Sequence, residues 1–332
     1  MVITVSGKDL KQAFSDIAPL IKKSEMSSSV AIGYEDDVLY ITADAGMKYQ
    51  CDIPVQSVID PVSMSLTVWF RDISDFIGAR DTVNITISEV TVGIETEGFS
   101  TSLLTSGAVI SRFKPSEGTK QDIIFNTLQY AVQKMSSATT LSKALQLTRP
   151  IIFAGDSAYI KYSTVWIKCI SSGINSILSI DDAKTIINFK PKSVVIGTTL
   201  EFHKDNAVLV VPNTVSTPER EFDSIVDSME TVTSFDTEGV FSVVQKLYRV
   251  IGNTNCKAYV FDSGLEIEIK TPTSSLSKKI KVNGDFRFSF EAPLEFILLC
   301  FNLLGEDVVT IKRKDGLICL SSNQLTILLS VA

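Results

Sequence analysis

The chain opens in the same way three times, and this repetition limits what it can fold into more than any other feature. The first opening is Val2-Ile-Thr-Val-Ser, then Asp9-Leu-Lys-Gln-Ala-Phe-Ser-Asp-Ile-Ala-Pro-Leu-Ile. The second is Asp122-Ile-Ile-Phe, then Thr127-Leu-Gln-Tyr-Ala-Val-Gln-Lys-Met-Ser. The third is Thr231-Val-Thr-Ser-Phe, then Gly239-Val-Phe-Ser-Val-Val-Gln-Lys-Leu-Tyr-Arg-Val-Ile. Each reads as a short strand feeding a helix. Self-similarity at a period of about 110 residues marks repeated domains of ordinary size.

Local patterns support the helices. Leu10, Phe14, Ile17, Leu20 and Ile21 recur at the spacing of one helical face, as do Val240, Val243, Val244, Leu247 and Val250. Asn126 and Asp236 stand where helix caps are expected. Strands with near period-2 alternation follow, among them Val30-Ala-Ile-Gly-Tyr and Val38-Leu-Tyr-Ile-Thr-Ala, joined by an Asp36-Asp37 turn. A second helical segment then recurs in each repeat, beginning at Phe70, Ile180 and Ala292, with Pro293 suited to a first turn. Three more strands close each repeat, and Asp315-Gly316 is a hairpin turn in the last. The expected fold is α+β, with three repeated domains at 1–113, 122–227 and 235–332. Linkers fall at about 114–121 and 228–234, and each domain packs two helices on antiparallel sheet.

With 332 residues, 45% of them hydrophobic, there is apolar material for several cores. The longest apolar stretch, Phe296 to Leu304, is about half a bilayer span, so no transmembrane helix is expected. The opening residues lack the basic and apolar regions of a signal peptide, which points to the cytoplasm. Five scattered cysteines never adopt metal-ligand spacing and read as buried free thiols.

Enzyme signatures are missing. There is no phosphate-binding loop, dinucleotide turn, zinc-protease helix or calcium loop, so neither catalysis, cofactor nor metal is expected. The single histidine, His203, reads as a surface strand residue. Asp36-Asp37 and Asp181-Asp182 fall at a turn and a helix start, where carboxylates are favoured anyway.

The order and threefold repetition of Val2–Ile21, Phe241–Ile251 and the run Gly305-Glu-Asp-Val-Val-Thr-Ile resemble the three-domain bacterial-type sliding clamp. That family is the β subunit of DNA polymerase III, here in a diverged or phage-encoded form, and the resemblance covers essentially the whole chain. It implies a head-to-tail homodimer that closes into a ring around double-stranded DNA, binding without regard to sequence. The implied partners are a DNA polymerase and a clamp-loader ATPase, in a bacterial cytoplasm or an infected host cell, with no membrane.

Net charge is −7, which argues against holding nucleic acid by overall attraction. A closed ring escapes that objection, because topology retains the DNA and only the inner surface needs positive charge. Candidate DNA-facing residues are Lys8, Lys11, Lys22, Lys23, Arg71, Lys134, Lys184, Lys246 and Arg249; a plain solvated helix face is the alternative reading. By resemblance the partner-peptide pocket draws on Tyr162, Val165, Ile167, Phe222, Ile225, Phe296, Leu299, Ile327, Leu329 and Val331. Those positions also read simply as core. The family's T-D-G-H-R-L-like stretch is matched here by Ser163-Thr-Val-Trp-Ile-Lys, and its C-terminal tail by Leu328-Leu-Ser-Val-Ala, so the pocket departs from the family. The implied dimer seam joins the strand holding Ser100, Ser102 and Leu104 to the pair Val250 and Ile251. Competing readings are a β-rich structural or assembly protein, a clamp that activates transcription, and a hydrolase acting on DNA ends.

Overall fold

A computed structural model of the chain describes residues 1–22, 29–105, 111–113, 116, 118–141, 149–162, 164–215, 220–270, 275–305 and 307–331. The first repeat contains β1 (Val2–Ser6), α1 (Gly7–Lys22), β2 (Ser29–Glu35), β3 (Val38–Asp44) and β4 (Lys48–Ile59). It continues through β5 (Met64–Trp69), β6 (Thr82–Ile87), β7 (Thr91–Thr96) and β8 (Phe99–Leu104). The middle repeat runs β9 (Thr119–Asp122), α2 (Phe125–Leu141), β10 (Ile151–Lys161), β11 (Val165–Leu178) and α3 (Ile180–Phe189). Next come β12 (Ser193–Ile196), β13 (Thr199–Lys204), β14 (Ala207–Pro212) and α4 (Arg220–Asp227). The third repeat has β15 (Glu230–Asp236), α5 (Val240–Ile251), β16 (Asn255–Phe261), β17 (Gly264–Lys270) and β18 (Ser275–Ile280). It ends with β19 (Phe286–Pro293), α6 (Leu294–Leu304), β20 (Val308–Lys314), β21 (Leu317–Ser321) and β22 (Leu325–Ser330).

These elements form two compact units, Met1–Phe125 with Lys184–Asn213, and Asn126–Ala183 with Thr214–Ala332. The first unit holds one 12-stranded sheet, ordered β8-β7-β6-β1-β4-β14-β13-β12-β9, with β2, β3 and β5 branching from β4. Across this sheet α1 buries Leu10, Phe14 and Ile17 completely, with Leu20 and Ile21 at 4% exposure, which is the stripe its spacing specifies. The second unit holds a six-stranded sheet, β10-β11-β22-β21-β20-β15, and a four-stranded one, β18-β17-β16-β19. α6 is buried along nearly its whole length there.

Turn chemistry follows the sequence. Asp36 and Asp37 both have positive φ, 53° and 59°, as do Asp315 and Gly316, which closes each hairpin with the matching twist. The cysteines are free and buried, and desolvation pushes four of the thiols up to about 12 and Cys319 to about 11.

Several helix expectations need correction. The segment from Phe70 forms only a 3-10 turn at Ser74–Phe76. Asp72 Oδ1 accepts the Ser74 backbone N–H at 3.2 Å and its hydroxyl at 2.8 Å, while Asp81 accepts the Gly78 N–H at 2.7 Å. Such local bonds satisfy the backbone without a helix. Asn126 lies inside α2 rather than capping it. Asp236 instead accepts the Glu238 N–H at 2.8 Å, closing a turn ahead of α5, whose cap residue is Gly239. α5 also loses its apolar phase at the end, leaving Val250 82% exposed. Finally, α4 is a helix beyond those expected, although Phe222, Ile225 and Val226 have helical spacing.

Candidate functional site

Both internal joints between repeats are built alike. The start of β4 in the first repeat pairs antiparallel with β14, the last strand of the second, through Lys48↔Val210 to Cys51↔Ala207. The start of β11 in the second pairs with β22, the last strand of the third, through Val165↔Leu329 to Cys169↔Leu325. The first joint is reinforced by the connecting segment: Arg112 reaches Asp52 at 2.6 Å, and Glu201 accepts the Ser116 N–H at 2.7 Å. It also contains the ion pair of Lys204 with the buried Asp16, at 3.0 Å.

One strand of each kind remains as an edge. β18 follows β17 as β4 follows β3, and among the described residues it pairs only with β17. β8 ends the first repeat and pairs with β7, apart from one isolated bridge beyond its end. On β8, Ser100, Ser102 and Leu104 are exposed, and Leu104 is 64% so. On α5, Val250 is exposed and Ile251 half-buried. The expected seam residues are therefore exposed or half-buried, and those on β8 lie on a strand at the end of its sheet. Exposed Glu95 and Glu97 accompany the β7–β8 hairpin, whereas β18 carries exposed Lys278 and Lys279.

Lys8, Arg71, Lys184, Lys246 and Arg249 are exposed or half-buried, as is Lys11; none lies within ion-pair distance of a carboxylate among the described residues. On strands or their loops, Lys161, Lys168, Lys192, Lys204 and Lys281 are paired, whereas Lys120, Lys257, Lys278, Lys279 and Lys312 have no carboxylate within ion-pair distance among the described residues. α2 and α5 contain no carboxylate at all. The Lys22 side chain and Lys23 lie outside the described residues. Lys134 is a correction: it donates to the Leu303 carbonyl in the last turn of α6. Desolvation holds its ammonium below lysine's ordinary pKa, and its role there is to cap a helix C-terminus.

The apolar pocket residues also need correcting. Val165, Ile167, Ile327, Leu299 and Leu329 are at most 1% exposed, and Tyr162 4%, so they belong to the core. Val165 and Ile167 pair directly with Leu329 and Ile327, on the inward face of the sheet. The alternate residues, Trp166 and Leu328, face the other way. There they join Tyr159, Ala154 and Cys319 in a separate apolar cluster, which α4 covers with Phe222, Ile225 and Val226. Phe222 and Ile225 thus belong to this outer cluster, and the strand residues beside them are the alternates of those expected. Phe296 and Val331 are half-buried, and the Val331 N–H is bonded to Gly316 O.

This outer cluster has its own electrostatics. Phe222 sits between the rings of Tyr159 and Trp166, at centroid distances of 5.9 and 6.0 Å. Lys168 bonds Asp223 of α4 at 2.6 Å, and Lys161 approaches Glu221 at 3.6 Å. Burial alone would depress the Lys168 ammonium, but the Asp223 carboxylate and the Tyr159 hydroxyl bring it above lysine's usual value. Sequence reasoning missed Tyr159 and Lys161, and from the stretch matched to the family's T-D-G-H-R-L it selected Val165 and Ile167 in place of Trp166 and Lys168. The signal was an aromatic residue followed two positions later by lysine on each strand, Tyr159-Ile-Lys161 and Trp166-Ile-Lys168.

His203 is half-buried on β13, with Nε2 3.6 Å from the buried Glu201 carboxylate, and desolvation lowers its pKa. Among the described residues no group of three or more His, Cys, Asp or Glu side chains is placed to hold a metal ion. Among them, too, no helix is long and apolar enough to cross a membrane.

No protein-family model matches the chain, and no curated protein matches it. Solved structures do. The DNA polymerase III subunit beta of Pseudomonas aeruginosa is similar with a TM-score of 0.78 at 11% identity, over 100% of both chains. The Helicobacter pylori beta clamp bound to a DNA ligase peptide is similar at 0.73 and 14%, again over 100% of both. The DNA polymerase sliding clamp of Bacillus subtilis gives 0.74 at 12%, covering 100% of this chain and 99% of that one. From end to end, the chain has the fold of these bacterial beta clamps.

Proposed function

We propose that this chain is a DNA sliding clamp, a non-catalytic ring of two copies that encircles duplex DNA and tethers a polymerase to it. The observation that carries the reading is the pair of leftover edges. Two joints inside the chain use the strand type of β4 and β11 against the last strand of the next repeat. Applied once more, the same rule joins β18 of one copy to β8 of another. Because the two patches differ, the contact is head-to-tail and closes when its rotation completes a ring. Complementary charge on the edges, Lys278 and Lys279 against Glu95 and Glu97, and the apolar Leu104, Val250 and Ile251 favour that contact over aggregation.

Three domains at 1–113, 122–227 and 235–332 are part of this reading, and so are two chains per ring. The unpaired cations Lys8, Lys11, Arg71, Lys184, Lys246 and Arg249 supply diffuse attraction for phosphates, while the acidic excess of a chain with net charge −7 stays outside. Weak, exposed contacts suit a ring that slides. Polymerase and clamp loader dock through short peptides, as the Helicobacter pylori clamp was solved with one from DNA ligase. The protein works in the cytoplasm.

The test is retention on DNA. Rings loaded on closed circular DNA are expected to survive high salt, and linearising the circle should release them. Binding that depends on charge alone falls steeply with salt on both substrates. Equal loss from circle and line would end the clamp reading.

A further inference from the structure

We propose that Glu201 and His203 form a proton-operated latch on the segment connecting the first two repeats: while the imidazole is neutral, Glu201 holds the segment at Ser116, and proton uptake by His203 releases it. The latch lies within one compact unit of one chain, so it goes beyond the clamp reading and does not depend on it.

The site begins with two atoms that lack partners. Glu201 and His203 lie two apart on β13 and so share a face. The flanking strands put only uncharged residues beside them, Val195 and Ser193 on β12, and Val210 and Val208 on β14. Glu201 is 2% exposed. Its Oε1 accepts the Ser116 N–H at 2.7 Å, and the Ser116 hydroxyl stands 3.4 Å from that of Thr199. Its Oε2 faces the His203 Nε2 at 3.6 Å; both atoms are closed off from solvent, and neither has a hydrogen-bond partner among the described residues. That separation is too long for a hydrogen bond and too short for a water to stand between. Only a proton can join them.

The surroundings keep a second proton off the imidazole while the latch is closed. Burial disfavours the imidazolium most and Lys120 on β9 adds to it, while Glu201 opposes both; the balance is a pKa below the usual 6.5. Asp37, Asp52 and Asp205 line the cleft that His203 borders. Arg112 pairs with Asp52, Lys192 pairs with Asp205, and Asp37 accepts the Tyr34 hydroxyl. A folded pKa below the unfolded one means that the proton binds the open arrangement more tightly. The closed one is therefore lost as pH falls below 6.5. The bonding runs the same way. A buried carboxylate makes a strong, charge-assisted bond to the Ser116 N–H, and an imidazolium beside it draws Oε2 away and takes up that charge. The segment's other anchors, Arg112 on Asp52 at 2.6 Å and the Phe113 N–H on Gln50 at 2.9 Å, involve no imidazole, so release is confined to the Ser116 end.

The sequence makes the test direct, because His203 is the only histidine and Pro115-Ser116 the only Pro-Ser step. Full-length protein labelled with 13C-carbonyl proline, 15N-serine and ring-15N histidine gives one carbonyl-filtered amide signal, that of Ser116, and one imidazole. Between pH 7 and 5.5 the Ser116 amide proton should move upfield. Its exchange protection, corrected for the intrinsic rate, should fall about three- to tenfold, the larger figure being the ceiling for an imidazole that is unperturbed when open. The change should share its midpoint with the His203 ring, with circular dichroism unchanged. His203→Gln, which fills the space but takes up no proton, should keep the pH 7 signal down to pH 5.5. Glu201→Gln, which keeps an acceptor without the charge, should show the released signal already at pH 7. The proposal is overturned if the parent's Ser116 signal does not move or departs from the ring's midpoint, if it moves equally in His203→Gln, or if Glu201→Gln keeps the parent's signal. The parent titration needs no variant, so it decides the matter even if neither substitution folds.

Discussion

Replacing Lys204 with methionine should strand a carboxylate in the interior and weaken the joint between the first two repeats. Asp16 on α1 is 7% exposed in its side chain and Lys204 on β13 16%. The ammonium lies 3.0 and 3.1 Å from the two carboxylate oxygens, and Gln12 donates to one of them at 2.7 Å. Burial is the largest influence on Asp16 and raises its pKa; the bond to Lys204 lowers it, and the balance stays above the ordinary value of 3.8. A folded pKa above the unfolded one means that the fold holds this proton more tightly. Stability is therefore lost as pH rises through the window above 3.8. Without Lys204 that window widens upward. At pH 7 the cost of Lys204→Met should be about 3–5 kcal/mol, the usual penalty for breaking a buried pair. Asp16→Leu should cost about as much, because it leaves the ammonium unpaired, yet the double variant should return close to the parent. In a Trp166→Phe background, Trp69 alone reports the first unit. With a denaturant slope of about 2 kcal/mol/M, the urea midpoint of each single variant should fall by about 2 M. The reasoning is refuted if the double-mutant coupling is under about 1 kcal/mol, or if the cost of Lys204→Met does not shrink between pH 7 and pH 3.

Ile251→Asp, or Leu104→Asp, should weaken self-association at least about tenfold by burying an unpaired charge at the seam, seen as a shift from dimer to monomer in sedimentation with unchanged circular dichroism. Reversing Lys8, Lys11, Lys246 and Arg249 to Glu should flatten the salt dependence of binding to linear DNA, by a slope of roughly 0.9 for each phosphate that is no longer neutralised. Lys134→Met should leave that slope alone and instead lower the stability of the second unit by about 1 kcal/mol, seen as an earlier urea unfolding transition, because it removes a helix cap. The five thiols should be inert to a thiol reagent at pH 7.5 and all react once urea unfolds the chain, since burial lifts their pKa values to about 11 or 12.

Much of the molecule was legible in residue order alone. The repeat, the buried stripe of α1 and the Asp36-Asp37 and Asp315-Gly316 hairpins are local, and local chemistry specifies them. The helix expected from Phe70 failed at the same level: Asp72 and Asp81 bond the nearby backbone and reduce it to a 3-10 turn. Tertiary structure decided the rest. Period 2 reveals that β11 alternates but not which side faces the core, and a slip of one residue moves every side chain to the other face. Here both sides are apolar, Val165 and Ile167 inward, Trp166 outward, because α4 covers the outer face. Hydrophobicity thus carries no phase, and the expected pocket residues fall on the inward side. Lys134 reads like any solvated helix lysine until a carbonyl 169 residues away claims it. The pairings of β4 with β14 and of β11 with β22 likewise join strands far apart in the chain. Backbone hydrogen bonds leave almost no trace in side-chain identity, so only the fold could reveal that β8 and β18, unlike β14, β22, β4 and β11, stand at the ends of their sheets.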